Sequence, residues 1–310
     1  MTKRMLDANA SDFLTMTPRQ MVEGIRLSEG RIVAAEVIAV APPLIDNVSN
    51  PELAAGMGAD LILMNFYDVT APQVFGFPAE KSSSDSNIFG RFPSGQGVTL
   101  SQVKSWIGRP VGLNLEPIEN PSAVTSSGRL ATADNARLAL EQGADFVVIT
   151  GNPHTGVTIQ GICRSAAEIR AAIGDRVVLL AGKMHAAGAS SAAMSAEDMS
   201  RLAGSGADGI LLPAPATVPG MTVEVAHALI EAAHQLELLV MNTVGTSQEG
   251  ASLSTIEQLA LWSKMSGADI HHLGDAGTLG MAVPENIYAW SLALRGRRHT
   301  WHRMAASLKR

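Results

Sequence analysis

The chain has 310 residues, 46% of them hydrophobic and 17% charged, with a formal net charge of -6 and a pI near 5.8. Those values describe a soluble globular protein able to bury a large core, and the mild acidity excludes nucleic acid as the main partner. No stretch approaches the roughly 18 uninterrupted apolar residues of a membrane span, and the single cysteine, Cys163, excludes an internal disulfide and a cysteine metal cluster.

The first residues, MTKRMLDANASDF, carry no apolar signal region, which places the protein in the cytoplasm. MTPRQMVEGIRLSEG reads next as a helix, with Thr17 as N-cap and Pro18 at its first position. Eight short apolar runs follow: RIVAAEVIAV from Arg31, LILMNFYD from Leu61, VGLNLEP from Val111, FVVITGNP from Phe146, RVVLLAGKMH from Arg176, GILLPAPA from Gly209, LELLVMNTVG from Leu236 and IHHLGDAG from Ile270. Every second run is entered through the triplet Gly-Ala-Asp, at Gly58, Gly143, Gly206 and Gly267; the last three copies are 63 and 61 residues apart, twice a βα unit.

Runs rich in Val, Ile and Leu, each preceded by a helical stretch, indicate a parallel sheet covered on its outer face. Eight such units close most economically as an α/β fold of the (β/α)8 TIM barrel type, with the extra N-terminal helix closing its floor. A doubly wound open sheet would carry a phosphate-binding glycine fingerprint after its first strand, and EVIAVAPPLIDN has none. One domain is expected: residues 1–30 as a helical cap, 31–295 as the barrel and 296–310 as a C-terminal helix. The basic run RGRRHTWHRMAASLKR is read as the solvated face of that last helix. In each triplet the glycine suits a left-handed helix C-cap, and Asp60, Asp145, Asp208 and Asp269 fall at the stabilising, N-terminal end of the strands.

Two connections leaving the C-terminal strand ends are long: Asp68 to about Thr99, and EPIENPSAVTSSGRLAT after the third strand. They are expected to act as lids or binding loops, with subunit contact as the alternative. Strand alternation, taking the small and polar face as the interior, points Ala34, Glu36, Leu63, Asn65, Gly112, Asn114, Glu116, Val148, Thr150, Ala181, Lys183, Val240, Asn242 and His272 inward, and His271 outward. Asn152, His154, His185 and Asp275 stand one step beyond. Interior polar groups cost free energy unless paired, so their convergence at one rim predicts a ligand site.

Lys183 is the sharpest candidate, since a lysine in a barrel mouth can form a Schiff base or neutralise an anionic substrate; a salt bridge to Glu36 or Glu116 is the structural alternative. His185 and His154 could move protons near neutral pH. Glu36, Glu116, His272 and Asp275 could hold a divalent metal such as Mg, but without a metal-ligand spacing no metal or cofactor is assigned. The loops after strands seven and eight, VGTSQEGASLSTIEQ and LGDAGTLGMAVPEN, predict a phosphate site from Gly245, Thr246, Ser247, Gly250, Gly274, Asp275 and Gly277, although the charges of Glu249 and Asp275 count against an anion.

VGLNLEPIEN, ADNARLALEQGADFVVITGNPHTGVTIQG and GADGILLPAPATVPGMTVEVAHALIEAA, in that order, resemble the BtpA-like barrels. Those carry a similar strand-three Asn, a Gly-Ala-Glu or Gly-Ala-Asp entry into strand four and a His-Thr-Gly after it. The resemblance covers about half the chain, and GKMH, the long second loop and HHLGDAG depart from it. It implies a phosphate-binding-type (β/α)8 barrel, some of whose relatives lie near sugar-uptake systems, and it transfers no catalytic residue. The chain also resembles bacterial proteins labelled phosphoenolpyruvate phosphonomutase-like. The acidic, cysteine-bearing signature of a true phosphonomutase is not visible, so that activity is not adopted.

The function expected from the sequence is an enzyme acting on a small phosphorylated metabolite, a sugar phosphate, by lyase, aldolase or isomerase chemistry. Lys183 would bind or activate the carbonyl, Glu116 or Glu36 with His185 would move the proton, and Asn65, Asn114, Thr150, Asn152, His154, Asn242 and His272 would bind the substrate. The alternatives are a non-catalytic metabolite-binding or assembly protein docking through the basic C-terminal helix, and a metal-dependent hydrolase. Outer helices rich in Ala and Met predict a homo-oligomer.

Overall fold

Eight parallel strands, hydrogen-bonded in sequence order, close on themselves in the computed structural model, which describes residues 2–78, 92–118, 126–151, 155–184 and 194–310. They are β1 (Ile32–Ile38), β2 (Leu61–Asn65), β3 (Val111–Leu115), β4 (Phe146–Ile149), β5 (Val178–Gly182), β6 (Gly209–Pro213), β7 (Leu239–Val244) and β8 (Ile270–Leu273). The ring is completed between β8 and β1, where Ala34 pairs with His272. This is the (β/α)8 barrel the eight apolar runs predict.

The helices are α1 (Ala10–Thr15), α2 (Pro18–Arg26), α3 (Asn50–Gly56), α4 (Leu100–Ile107), α5 (Ala133–Glu141), α6 (Ile159–Ile173), α7 (Ala196–Gly204), α8 (Val223–Gln235), α9 (Leu253–Met265) and α10 (Pro284–Ala305). Thr17 caps α2 as predicted: its hydroxyl accepts the Gln20 N–H, and Pro18 supplies a fixed φ where no donor is needed. Among the described residues no helix is long and apolar enough to cross a membrane.

Two apolar layers form. Met5, Leu6 and Phe13 join Met21 and Ile25 of α2 under Ile32, Leu61, Phe146 and Leu239, so the N-terminal segment plugs the barrel floor. The second layer lies between the outer strand faces and the helices and includes Val33, Ile62, Ala181 and Val240. Gly112 belongs to the interior for a packing reason: a Cβ there would stand 2.4 Å from the Phe146 ring.

The triplets prove to be a fourfold repeat of one contact. Asp60, Asp145, Asp208 and Asp269 each donate their N–H to the carbonyl of the preceding strand's Val33, Val111, Leu179 or Val240, at 2.8 to 3.0 Å. Each carboxylate then accepts that same residue's N–H at 2.8 to 2.9 Å. A donor at the strand start, where no ladder partner waits, is thereby satisfied. The glycine two residues ahead of each Asp has φ between 84° and 106°, a left-handed conformation that L side chains rarely adopt. Each Asp also carries a cationic or ionisable partner: Arg295 and Arg303 on Asp60, Lys104 on Asp145, Arg170 on Asp208 and His234 on Asp269.

The basic C-terminal run departs from its sequence reading. α10 breaks at Gly296 (φ 69°), and beyond the break Arg303 turns inward, where it is 1% exposed. It donates to Asp60 and to the carbonyls of Ala8 and Met5. Only part of the run, Arg297 and Arg298 among it, is the solvated face expected. Cys163, half-buried on α6, has its thiol pushed up in pKa by burial and by Asp198, as suits an unreactive side chain.

Candidate active site

A cavity of about 410 Å3 opens at the C-terminal ends of the strands. Its floor is made by Glu36 of β1, Asn65 of β2, Asn114 of β3 and Thr150 just past β4, all with the inward register predicted from alternation. The wall is made by Glu249 after β7 and Asp275 after β8.

Glu36 is buried, and its carboxyl is held well above the ordinary carboxylate range by that burial, and then by the fields of Asp275 and Glu116. His272 sits behind it, fully buried and outside the cavity lining, with Nε2 3.2 Å from Glu36 Oε2. Burial pulls the imidazole down to about 4 against the opposing fields of Glu249 and Asp275. Both shifts disfavour the ionised forms, so burial works against an ion pair at this contact. Neither ring nitrogen has an aligned hydrogen bond among the described residues.

A polar chain crosses the floor. Asn114 Nδ2 donates to Asn65 Oδ1 at 3.4 Å, and Asn65 Nδ2 donates to Asp275 Oδ2 at 2.9 Å. Asp275 Oδ1 accepts the Gly277 N–H at 2.9 Å. Glu249 stands in a short 3-10 turn after a left-handed Ser247 (φ 68°), and Oε1 accepts the Ala276 N–H at 3.1 Å. Its carboxyl is pushed up in pKa, mainly by burial. Three buried atoms of the lining residues, Asn114 Oδ1, Thr150 Oγ1 and Glu249 Oε2, have no hydrogen-bond partner among the described residues. Buried polar atoms are normally paired, so these three are exceptions that call for an account.

The register predicted for β5 and β7 is wrong by one residue. On β5 it is Val178, Leu180 and then Met184 that join the interior, while Ala181 faces the helices. Lys183 is consequently buried outside the cavity lining, where desolvation lowers its pKa against the field of Asp198 on α7. That position lies away from the described lining of the cavity. Lys183→Met is expected to leave any turnover within a fewfold of wild type, as a steady-state assay would show; loss of turnover would restore the Schiff-base role.

On β7, Leu239 and Met241 face inward, and Asn242 turns to α9, where Nδ2 donates to the hydroxyls of Ser263 (3.1 Å) and Ser266 (2.9 Å). Ser263 also bonds His271 Nδ1 at 2.7 Å, and His271 Nε2 meets the Gly30 carbonyl at 2.9 Å. Asn242 is therefore structural and does not bind substrate. Asn242→Ala should cost about 1 to 3 kcal/mol in chemical denaturation, the penalty for buried hydroxyls left unpaired, without altering ligand affinity.

Glu116 is also displaced from its expected role. It lies outside the cavity lining and accepts from Arg129, whose guanidinium lies 3.9 Å over the Phe66 ring. Its field is among the causes that raise the Glu36 pKa. The expected phosphate cradle is likewise occupied from within. Gly245, Ser247, Gly274, Asp275 and Gly277 do line the cavity, but Gly250 and Thr246 do not, and Thr246 Oγ1 is turned to the Thr217 carbonyl and Gln248. The Ala276 and Gly277 N–H groups are taken by Glu249 and Asp275, and the Gly274 N–H by the Val244 carbonyl. No Lys or Arg is among the described lining residues.

Asn152, His154 and His185 lie outside the described residues, as do parts of both long loops. Among the described residues no three His, Cys, Asp or Glu side chains are disposed to hold one metal ion. Sequence reasoning missed Glu249 as a lining group, treating it as an argument against phosphate. The available signal was a carboxylate inside a glycine-rich loop at the C-terminal strand ends.

The profile of the family described as Domain of unknown function (DUF7916) matches residues 6–310. No curated protein matches the chain. Similar solved structures include the thiamine phosphate pyrophosphorylase from Pyrococcus furiosus, 13% identical with a TM-score of 0.48 over 86% of this chain and 97% of that one. A 2,3-dimethylmalate lyase, a PEP mutase/isocitrate lyase superfamily member, is 15% identical with a TM-score of 0.48 over 84% and 81%.

Proposed function

The chain belongs to the DUF7916 family, and we propose that it is an enzyme moving a proton on a small polar metabolite, by lyase or isomerase chemistry, with Glu36 as the general acid. The observation that carries this reading is the Glu36 carboxyl: it lines the cavity, burial raises its pKa well above the ordinary carboxylate value and so favours its acid form, and burial lowers the pKa of the adjoining His272 ring to about 4. A carboxylic acid retained near the operating pH is what general acid catalysis requires. His272 is a positioning residue, packed on one carboxyl oxygen. Glu36 gives its proton to the substrate's carbonyl oxygen, the carboxylate of Asp275, which also lines the cavity, takes the proton from the neighbouring carbon, and Asn114 and Thr150 orient substrate hydroxyls.

Two parts of the sequence expectation fall away here. Among the described residues no lysine lines the cavity for an aldolase route, and the β7 and β8 loops offer a phosphate few free donors. The expected self-association would rest on α9, whose Leu253, Leu261 and Met265 are exposed. The test is hydrogen exchange: small hydroxy-carbonyl compounds are incubated with the protein in D2O, and deuterium incorporation beside the carbonyl is followed by NMR. Wild type should exchange and Glu36→Gln should not. Equal exchange by both would remove Glu36 from the chemistry.

A further inference from the structure

We propose that the cavity takes a small organic cation, a primary ammonium carried on a hydroxylated carbon skeleton. The inference deepens the proton-transfer reading by naming the class of its substrate, and it rests on that reading for the chemistry but not for the binding. Three carboxyl groups, Glu36, Glu249 and Asp275, line the cavity, and the described lining holds no lysine or arginine to balance them. The nearby guanidinium of Arg129 is engaged by Glu116.

Charge alone would not define a ligand, but the unpaired atoms do. Asn114 and Thr150, each 3% exposed, line the cavity with Oδ1 and Oγ1 unpaired among the described residues, as is Oε2 of Glu249. An amide oxygen and a carboxylate oxygen are pure acceptors, and a hydroxyl can accept. An ammonium group is a pure donor of three N–H bonds, the complement of such a set. A phosphate is a pure acceptor and would face two carboxylates that already hold the loop's Ala276 and Gly277 N–H groups.

Bringing in a cation beside Glu249 would also relieve the cost of ionising that carboxyl, which burial holds above its ordinary pKa, while Glu36 keeps its proton for the chemistry. Linkage then requires that binding release protons and tighten as pH rises, because the cation prefers the ionised Glu249 carboxylate.

The test compares three compounds with the same three-carbon skeleton at matched ionic strength: serinol (2-aminopropane-1,3-diol), glycerol and glycerol phosphate. Thermal shift and titration calorimetry are run on the full chain. Serinol alone should raise Tm, with an affinity that improves with pH and with proton release seen as a buffer-dependent heat. Glu249→Gln should weaken serinol binding about tenfold or more, the loss expected for one charge-assisted contact. If that variant does not fold, the wild-type pH dependence and the proton release decide alone. Stabilisation by glycerol phosphate equal to or above that by serinol overturns the proposal, as does the absence of any serinol response. Serinol binding in a protein that exchanges no substrate hydrogen would refute the proton-transfer reading and leave this inference standing.

Discussion

Asp60→Ala is expected to destabilise the protein by about 3 to 5 kcal/mol, the range for removing one partner of a buried ion pair. Asp60 is fully buried and is met by Arg295 and Arg303, themselves 7% and 1% exposed, with the buried Arg109 packed against the same cluster through the Ala59 and Arg303 carbonyls. Without the carboxylate, two guanidinium groups lose their counter-ion in the floor of the barrel and the Val33 N–H loses its acceptor. The cluster also ties the Met5 and Ala8 carbonyls to α10, so both chain ends loosen together.

The other triplets supply the controls. Asp145 is raised in pKa because burial outweighs Lys104, so its charged form is not favoured by the fold and its replacement should cost less. Asp208, with its side chain 34% exposed, is screened by solvent, so Asp208→Ala should cost least, while Asp269, at 14% exposed as buried as Asp145 but paired with the more exposed His234, should fall with Asp145. Urea unfolding followed by tryptophan fluorescence would rank them; equal losses at all four positions would make the Arg295 and Arg303 pairing irrelevant.

The pH dependence has a definite sign. Burial alone would raise the Asp60 pKa, but Arg295, Arg303 and the Val33 N–H outweigh it and hold it below the ordinary value. Its contribution is therefore complete above the ordinary carboxylate pKa and is lost as pH falls through the depressed one.

The architecture was legible because its signals are local. An apolar run of five or six residues, a Gly-Ala-Asp entry and a helix between runs are each contained within one βα unit, and eight of them define the ring. The inward register was legible where polar residues face the interior: Glu36, Asn65, Asn114, Thr150 and His272 stand out among apolar neighbours. It failed on β5 and β7 because small and polar residues there face the helices. What makes Asn242 a structural residue is a pair of serines on α9, 21 and 24 residues away in sequence, to which a strand pattern gives no clue. The same holds for the phosphate loops. Glycines after β7 and β8 do approach the cavity, but Glu249 from one loop takes the peptide donor of Ala276 from the other, 27 residues on. Such capture between loops depends on their mutual placement, which no single stretch encodes.

Glu36→Gln should lower turnover by about 10^2- to 10^4-fold, the usual worth of a general acid, with substrate affinity largely kept because the amide retains shape and neutrality. The raised pKa sets the pH profile: the acid form, and with it activity, extends to higher pH than an ordinary carboxyl allows and falls as pH rises through the elevated value. Stability should move the other way. A carboxyl whose pKa is raised on folding contributes its full stability below the unfolded value and loses it progressively as pH climbs to the folded one. Glutamine cannot ionise, so the variant avoids that loss and should melt higher than wild type at alkaline pH while turning over less at every pH. Opposite changes in Tm and turnover separate a residue kept for chemistry from one kept for packing. Parallel loss of both would mean that Glu36 holds the β1 end of the barrel together, and the acid would have to be sought at Glu249, the other lining carboxyl whose pKa burial raises.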